Sequence, residues 1–181
     1  MAEEMFDVVD EHDRVVGVAP RSVAHAQKLR HRAVHVFLFN LRHDLFVQKR
    51  AATKDSFPRC YDSSASGHVN SGEEYDACAV RELEEELGVV LPASQFRKHF
   101  KIEACEDTGW EFVWAYSVIS DEPPRINLVE LESGEFWTRD DIRRLLDEHP
   151  EQFARSFPMV FREFDRGGLW PGRVQRPPAP G

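Results

Sequence analysis

Hydrophobic positions fall first in short strand-like runs and later at helical spacing. Met5 to Asp10 and Arg14 to Val18 are β-like runs joined by Glu-His-Asp, which predicts a hairpin. Ser22 to Leu29 is expected to form a short helix. Val34 to Phe39 and Leu45 to Lys49 are rich in β-branched and aromatic residues, and Asn-Leu-Arg-His-Asp between them predicts a second hairpin. Ala51 to Ser66 has mixed polarity and a proline, so it reads as a loop. Further strands are expected at Phe96 to Ala104, Glu111 to Ile119 (after a turn at Glu106 to Gly109) and Glu135 to Trp137. Asp140 to Glu148 and the stretch from about Glu151 to Phe164 read as helices. From Gly167 the chain runs into Arg-Pro-Pro-Ala-Pro-Gly, the composition of a flexible tail. Helices flanking mixed strands imply a layered α/β fold, with residues 1–166 as a single domain and 167–181 as the tail.

The most informative helix lies in the middle. Ser71 followed by Glu74 reads as a capping box, and Gly88 reads as a C-terminal stop, so a helix is expected from about Glu73 to Leu87. At about 100° per residue, Glu82, Glu85 and Glu86 share one arc. Val80, Leu83 and Leu87 share another, which should bury against a sheet, while Glu84 faces solvent. Carboxylates crowded on one helix face repel one another, and a hard divalent cation removes that conflict. Arg81, four residues before Glu85, is placed to orient that carboxylate. Gly67 precedes the helix where the chain must pass close to such an ion.

Composition narrows the functional classes. With 181 residues, 41% hydrophobic and 30% charged, the chain suits one soluble domain. Its net charge of −9 argues against a nucleic-acid polymer as partner, because no basic surface exists to displace phosphate counterions. A polyanionic small molecule would need local cations to be admitted. Cys60, Cys78 and Cys105 form no CxxC pair, so neither a disulfide framework nor a zinc cluster is expected. The acidic start MAEEMFDVVDEHD lacks a signal-peptide pattern, and no run reaches membrane-spanning length, so a cytoplasmic protein with no membrane association is expected.

The segment GHVNSGEEYDACAVRELEEELGV, from Gly67 to Val89, matches the signature of the Nudix family position for position. That resemblance implies an α/β/α sandwich with a mixed sheet, magnesium or manganese as cofactor, and hydrolysis of a small-molecule diphosphate substrate, often a nucleoside derivative. It assigns the metal to Glu82, Glu85, Glu86 and the Gly67 carbonyl. Glu82 or Glu85 would serve as base, with Glu111 as an alternative, and Arg81 and Glu73 would orient the site. Many members are dimers, but no exposed apolar stripe here argues for a homodimer.

Similarity beyond the box runs through FDVVDEHDRVVG, LRHRAVHVFLFN, LFVQKRAATKDSFP and SSASGHV. It resembles the subgroup that includes isopentenyl diphosphate isomerase. Against isomerisation, Ser66 stands where that motif has its catalytic cysteine, and the box glutamates are intact. Arg50 and Lys54, with Lys49 adjacent, match residues that hold the diphosphate in the isomerases. His31, His68 and Glu111 fall near the isomerase metal positions, although the full ligand set cannot be matched. On strands, His31, His35 and His68 read as structural residues. Ser64 and Ser66 lack the strand-turn-helix elbow of a serine nucleophile. Trp110, Trp114, Trp137, Phe57 and Tyr61 could stack on a base, but such residues more often fill a core. Two competing readings remain: an isomerase, and a non-catalytic nucleotide-binding module.

Overall fold

The computed structural model describes residues 3–172. A two-stranded antiparallel hairpin, β1 (Met5–Val9) and β2 (Val15–Pro20), leads into a short helix, α1 (Arg21–Ala26). Asp13 at the hairpin turn accepts hydrogen bonds from Arg32, Tyr75 and Lys101, which dock the hairpin against the main body.

The main sheet contains β3 (His31–Phe39), β4 (Leu45–Arg50), β5 (Tyr61–Asp62), β6 (Ala65–His68), β7 (Arg97–Ile102), β8 (Glu111–Ile119) and β9 (Leu131–Trp137). It is mixed: β3 runs parallel to β8, whereas β3 with β6, β4 with β9 and β7 with β8 are antiparallel. β3 is buried nearly throughout, as expected of a strand covered on both faces.

Alternation along β3 divides the core. Val34, Val36 and Leu38 pack with Cys78, Ala79, Leu83 and Leu87 of α2 (Tyr75–Leu87). Ala33, Phe37 and Phe39 face the other way, against Ile142 and Leu146 of α3 (Arg139–Glu148) and Phe157, Val160, Phe161 and Phe164 of α4 (Phe157–Arg166). The result is the expected three-layer α/β/α sandwich around a mixed sheet.

Several local expectations are corrected. The second hairpin exists, but β3 and β4 pair only at Phe39 and Leu45 before diverging. Ala51 to Ser66 is not wholly loop, because β5 and the start of β6 occupy part of it. The buried Ser64 hydroxyl bridges the diverging β3 and β4, accepting from the Leu38 N–H at 2.7 Å and donating to the Phe46 carbonyl at 2.6 Å. β9 starts earlier than expected, at Leu131, and the last helix starts later, at Phe157.

The capping box does not form. Glu74 is the N-cap without a side-chain bond, and the Ser71 hydroxyl donates instead to Asp7 at 2.7 Å. Gly88 does end the helix, with a left-handed φ of 62°. Val80 is only partly covered, and Cys78 and Ala79 complete the buried stripe. Of the expected tail, Leu169 and Trp170 pack on the α3/α4 side, with the Trp170 Nε1 donating to the His43 carbonyl at 3.0 Å. Residues 173–181 lie outside the described part.

Candidate active site

A cavity of about 450 Å³ opens at the end of the sheet where β6 lies beside β3. Gly67, Glu82, Glu85 and Glu86 all line it. Helix periodicity puts the carboxylates on one face of α2, and β6 brings Gly67 against them. The contact is so close that a Cβ on Gly67 would lie 2.0 Å from Glu82 Oε1. Glycine is required here for space.

Arg81 organises the cluster. Its guanidinium grips Glu73 through two bonds of 2.8 Å, and it donates to Glu82 at 2.6 Å, Glu85 at 3.0 Å and the His68 carbonyl at 3.1 Å. Burial pushes the Glu73 carboxyl up, but Arg81 and the Asn70 N–H outweigh it, leaving Glu73 below the ordinary carboxylate range.

Glu82 and Glu86 are buried, whereas the Glu85 side chain is 57% exposed and reaches the cavity. Burial lifts Glu82 to about 7. Burial, reinforced by the charge of Glu82, lifts Glu86 to about 8. Among the described residues Glu86 is held only by neutral donors, the Gln48 side-chain amide at 3.0 Å and the Ser66 N–H at 3.1 Å. A buried carboxylate pair with so little cationic compensation is the donor set that a hard divalent ion fits.

A second donor set adjoins the same cavity, with His25, His68 and Glu111 on its wall and His31 buried behind them. The ligand atoms of His25, His31, His68 and Glu111 all lie within 4.8 Å of one another. His31 Nδ1 sits 2.8 Å from the Leu29 carbonyl and donates to it, which turns Nε2 toward Glu111. That Nε2 is buried with no hydrogen-bond partner, 3.6 Å from Glu111 Oε1. Burial, aided by the neighbouring histidines, lowers His25 to about 4 and keeps it neutral. His68 Nε2 lies 3.0 Å from Glu111, and the two histidines hold that carboxyl below its usual range despite its burial. A buried imidazole nitrogen without a hydrogen-bond partner among these groups suits a transition-metal ion. His25, missed by sequence reasoning, thus joins His31, His68 and Glu111 in one group.

His35 is different, since both ring nitrogens are engaged, by Ser63 at 2.7 Å and Ser156 at 3.1 Å, and it takes a structural role. Arg50 and Lys54 line the cavity. Arg50 is tied to Asp62 at 3.3 Å and to the Ser56 carbonyl, and Lys54 pairs with Glu130. Lys49 is corrected: it is absent from the cavity wall and pairs with Glu132 of β9 at 3.1 Å. Gln48, missed by sequence reasoning, contacts Glu86 in its place. Of the candidate stacking aromatics only Phe57 lines the cavity, while Tyr61 and Trp137 pack on each other with ring centroids 4.7 Å apart. All three cysteines are free, and among the described residues no helix is long and apolar enough to cross a membrane.

Comparison with known proteins agrees with this geometry. The NUDIX domain model matches residues 29–158. An uncharacterized Nudix hydrolase of Streptomyces coelicolor is 42% identical over 130 residues, 71% of this chain and 72% of that protein. An isopentenyl-diphosphate Delta-isomerase of Pectobacterium atrosepticum is 32% identical over 158 residues, 85% of this chain and 87% of the relative. A crystal structure from Deinococcus radiodurans superimposes with a TM-score of 0.79 at 30% identity, covering 88% of this chain and 98% of that one. The NUDIX domain of a Shewanella oneidensis protein, solved with ADP ribose, shares the fold with a TM-score of 0.61 at 14% identity, over 83% of this chain and 99% of that one. With its box intact, its sandwich complete and these matches over most of its length, the chain belongs to the Nudix family of pyrophosphohydrolases.

Proposed function

We propose that the protein hydrolyses a diphosphate linkage in a nucleoside-diphosphate-type or related small molecule, with magnesium or manganese held by Glu82, Glu85, Glu86 and the Gly67 carbonyl, in the cytoplasm. The observation that carries this reading is the pair of buried carboxylates, Glu82 pressed under Gly67 and bonded to Arg81, and Glu86 held, among the described residues, only by the neutral donors Gln48 and Ser66 N–H. Such a pair is costly unless a further cation enters. When bound, that ion neutralises phosphate charge and acidifies the attacking water.

The chain's own residues divide the remaining work. Arg81 fixes Glu73, Glu82 and Glu85 in one arrangement, so the donors are oriented before substrate arrives. Gln48 and the Ser66 N–H fix Glu86 in the same way. Glu85 is the most exposed of the trio and faces the cavity, so it is the carboxylate best placed to take a proton from water. Arg50 and Lys54 stand on the wall to receive phosphate oxygens. The test is a panel of diphosphates with each metal: metal-dependent release of phosphate or a monophosphate is expected. Binding without turnover across the panel would instead make the protein a binding module.

One observation favours a second reading. The histidine cluster, together with the 32% identity to an isomerase, fits isopentenyl-diphosphate isomerisation. Ser66 places a hydroxyl where that chemistry uses a thiol, and this reading therefore ranks second. Exchange of solvent deuterium into isopentenyl diphosphate would establish it, and absence of exchange would remove it.

A further inference from the structure

The cavity carries the cations Arg21, Arg50, Lys54 and Arg155 among a larger number of carboxylates. Three of them are paired with carboxylates: Arg21 with Glu4 at 2.9 Å, Arg50 with Asp62 at 3.3 Å, and Lys54 with Glu130. Arg155 differs. Among the described residues it forms no ion pair, and its guanidinium makes one hydrogen bond, from Nη1 to the Glu106 carbonyl at 3.0 Å. The remaining N–H groups of its fork are available to a ligand.

The backbone that carries Arg155 is held firmly. The Ala154 N–H donates to the Tyr61 carbonyl at 2.8 Å, Phe153 bridges to Tyr61, and the Ser156 hydroxyl meets His35 Nε2 at 3.1 Å. Phe153 and Phe157 on either side are buried in the core. An exposed arginine on an anchored segment starts from a fixed position, which reduces the entropy lost on binding. The segment precedes α4, so it approaches the cavity from the layer opposite the one that carries Glu82, Glu85 and Glu86.

We infer that Arg155 is a specificity residue that binds a second anionic group of the substrate, a phosphate remote from the diphosphate that is cleaved. The inference rests on the hydrolytic reading above and narrows its substrate class to diphosphates with an additional phosphate, such as a phosphorylated ribose. A planar guanidinium with free donors suits a phosphate, and among the described cations of the cavity Arg155 is the one without a carboxylate partner, set apart from Arg50 and Lys54, which serve the diphosphate that is cleaved.

Binding of reaction products tests this separately from turnover. Calorimetry in magnesium compares AMP with adenosine 2′,5′-bisphosphate and adenosine 3′,5′-bisphosphate on the wild type, Arg155→Gln and Arg155→Lys. The wild type is expected to bind at least one bisphosphate roughly ten to a hundred times more tightly than AMP, the worth of a charge-assisted contact. Arg155→Gln should erase that preference with AMP affinity unchanged, and Arg155→Lys should retain part of it. Equal binding of all three nucleotides by the wild type would overturn the inference, as would an equal loss for AMP and the bisphosphates in Arg155→Gln. In matched turnover assays, NADP+ should lose kcat/KM relative to NAD+ in Arg155→Gln through KM alone. If no diphosphate is hydrolysed yet the bisphosphate preference depends on Arg155, the hydrolytic reading fails while the anion site stands.

Discussion

Replacing Gly67 with alanine probes the cradle beneath the box carboxylates. The new methyl would sit 2.0 Å from Glu82 Oε1, 2.1 Å from Cδ and 2.5 Å from Oε2. Normal non-bonded contact requires the carboxylate to retreat by about 1 Å or more. It cannot do so freely, because Arg81 holds the same oxygen at 2.6 Å and Glu82 is buried. Gly67 does not occupy the left-handed backbone region, so the perturbation is steric contact at the site and not backbone strain. Overpacking of this kind costs about 1–3 kcal/mol, leaving the protein folded. A displacement of about 1 Å in a positioned catalytic group can cost about a hundredfold in rate, and a disturbed ligand shell about 10–100-fold in metal affinity. Thermal melting, magnesium calorimetry and kcat on an active diphosphate separate these effects. The expected result is a modest fall in Tm with a large fall in metal affinity and kcat. Wild-type magnesium affinity and kcat in a folded Gly67→Ala protein would refute the reasoning, because the methyl and the Glu82 carboxylate cannot share that space.

Arg81→Lys keeps the charge but loses the two-pronged grip on Glu73 and the simultaneous bonds to Glu82 and Glu85. Metal affinity is expected to fall by about 10–100-fold in a magnesium titration. Ser64→Ala leaves the Leu38 N–H and the Phe46 carbonyl without their buried bridge, and a loss of about 2–4 kcal/mol is expected in denaturant unfolding, with kcat unchanged below the melting transition. In chelator, the raised pKa values of Glu82 and Glu86, about 7 and about 8 against an ordinary 4.5, mean that folding favours their protonated forms. Stability from these groups is full below pH 4.5 and declines as pH rises toward 8, so the Tm of the metal-free protein should fall across that window and recover on addition of magnesium.

Local periodicity made the α2 cluster legible, because helix geometry alone groups Glu82, Glu85 and Glu86 and places Arg81 one turn before Glu85. Gly88 was equally readable, since its left-handed φ is a local requirement. Features set by distant contacts were not. Ser71 followed by Glu74 is locally a good capping box, but the hairpin brings in Asp7, which captures the serine hydroxyl. β5 and β6 lie in a polar stretch where neighbouring strands, and not sequence propensity, supply the pairing. The first part of β9, Leu131 to Glu135, carries little strand signal because it is mostly exposed and lacks β-branched residues. His25 had no local signal at all: it sits on a short helix and meets His31, His68 and Glu111 through tertiary contacts. Lys49 could have been separated from its neighbours by strand alternation, which turns Gln48 inward to Glu86.

The central claim is that the box carboxylates hold the ion that drives hydrolysis, and Glu86→Gln tests it most directly. Glutamine preserves the shape of a side chain that is only 3% exposed but removes the charge. Measured with saturating magnesium on any diphosphate turned over by the wild type, kcat/KM should fall by about a thousandfold or more with little change in Tm. Full magnesium-dependent activity in Glu86→Gln would contradict the account.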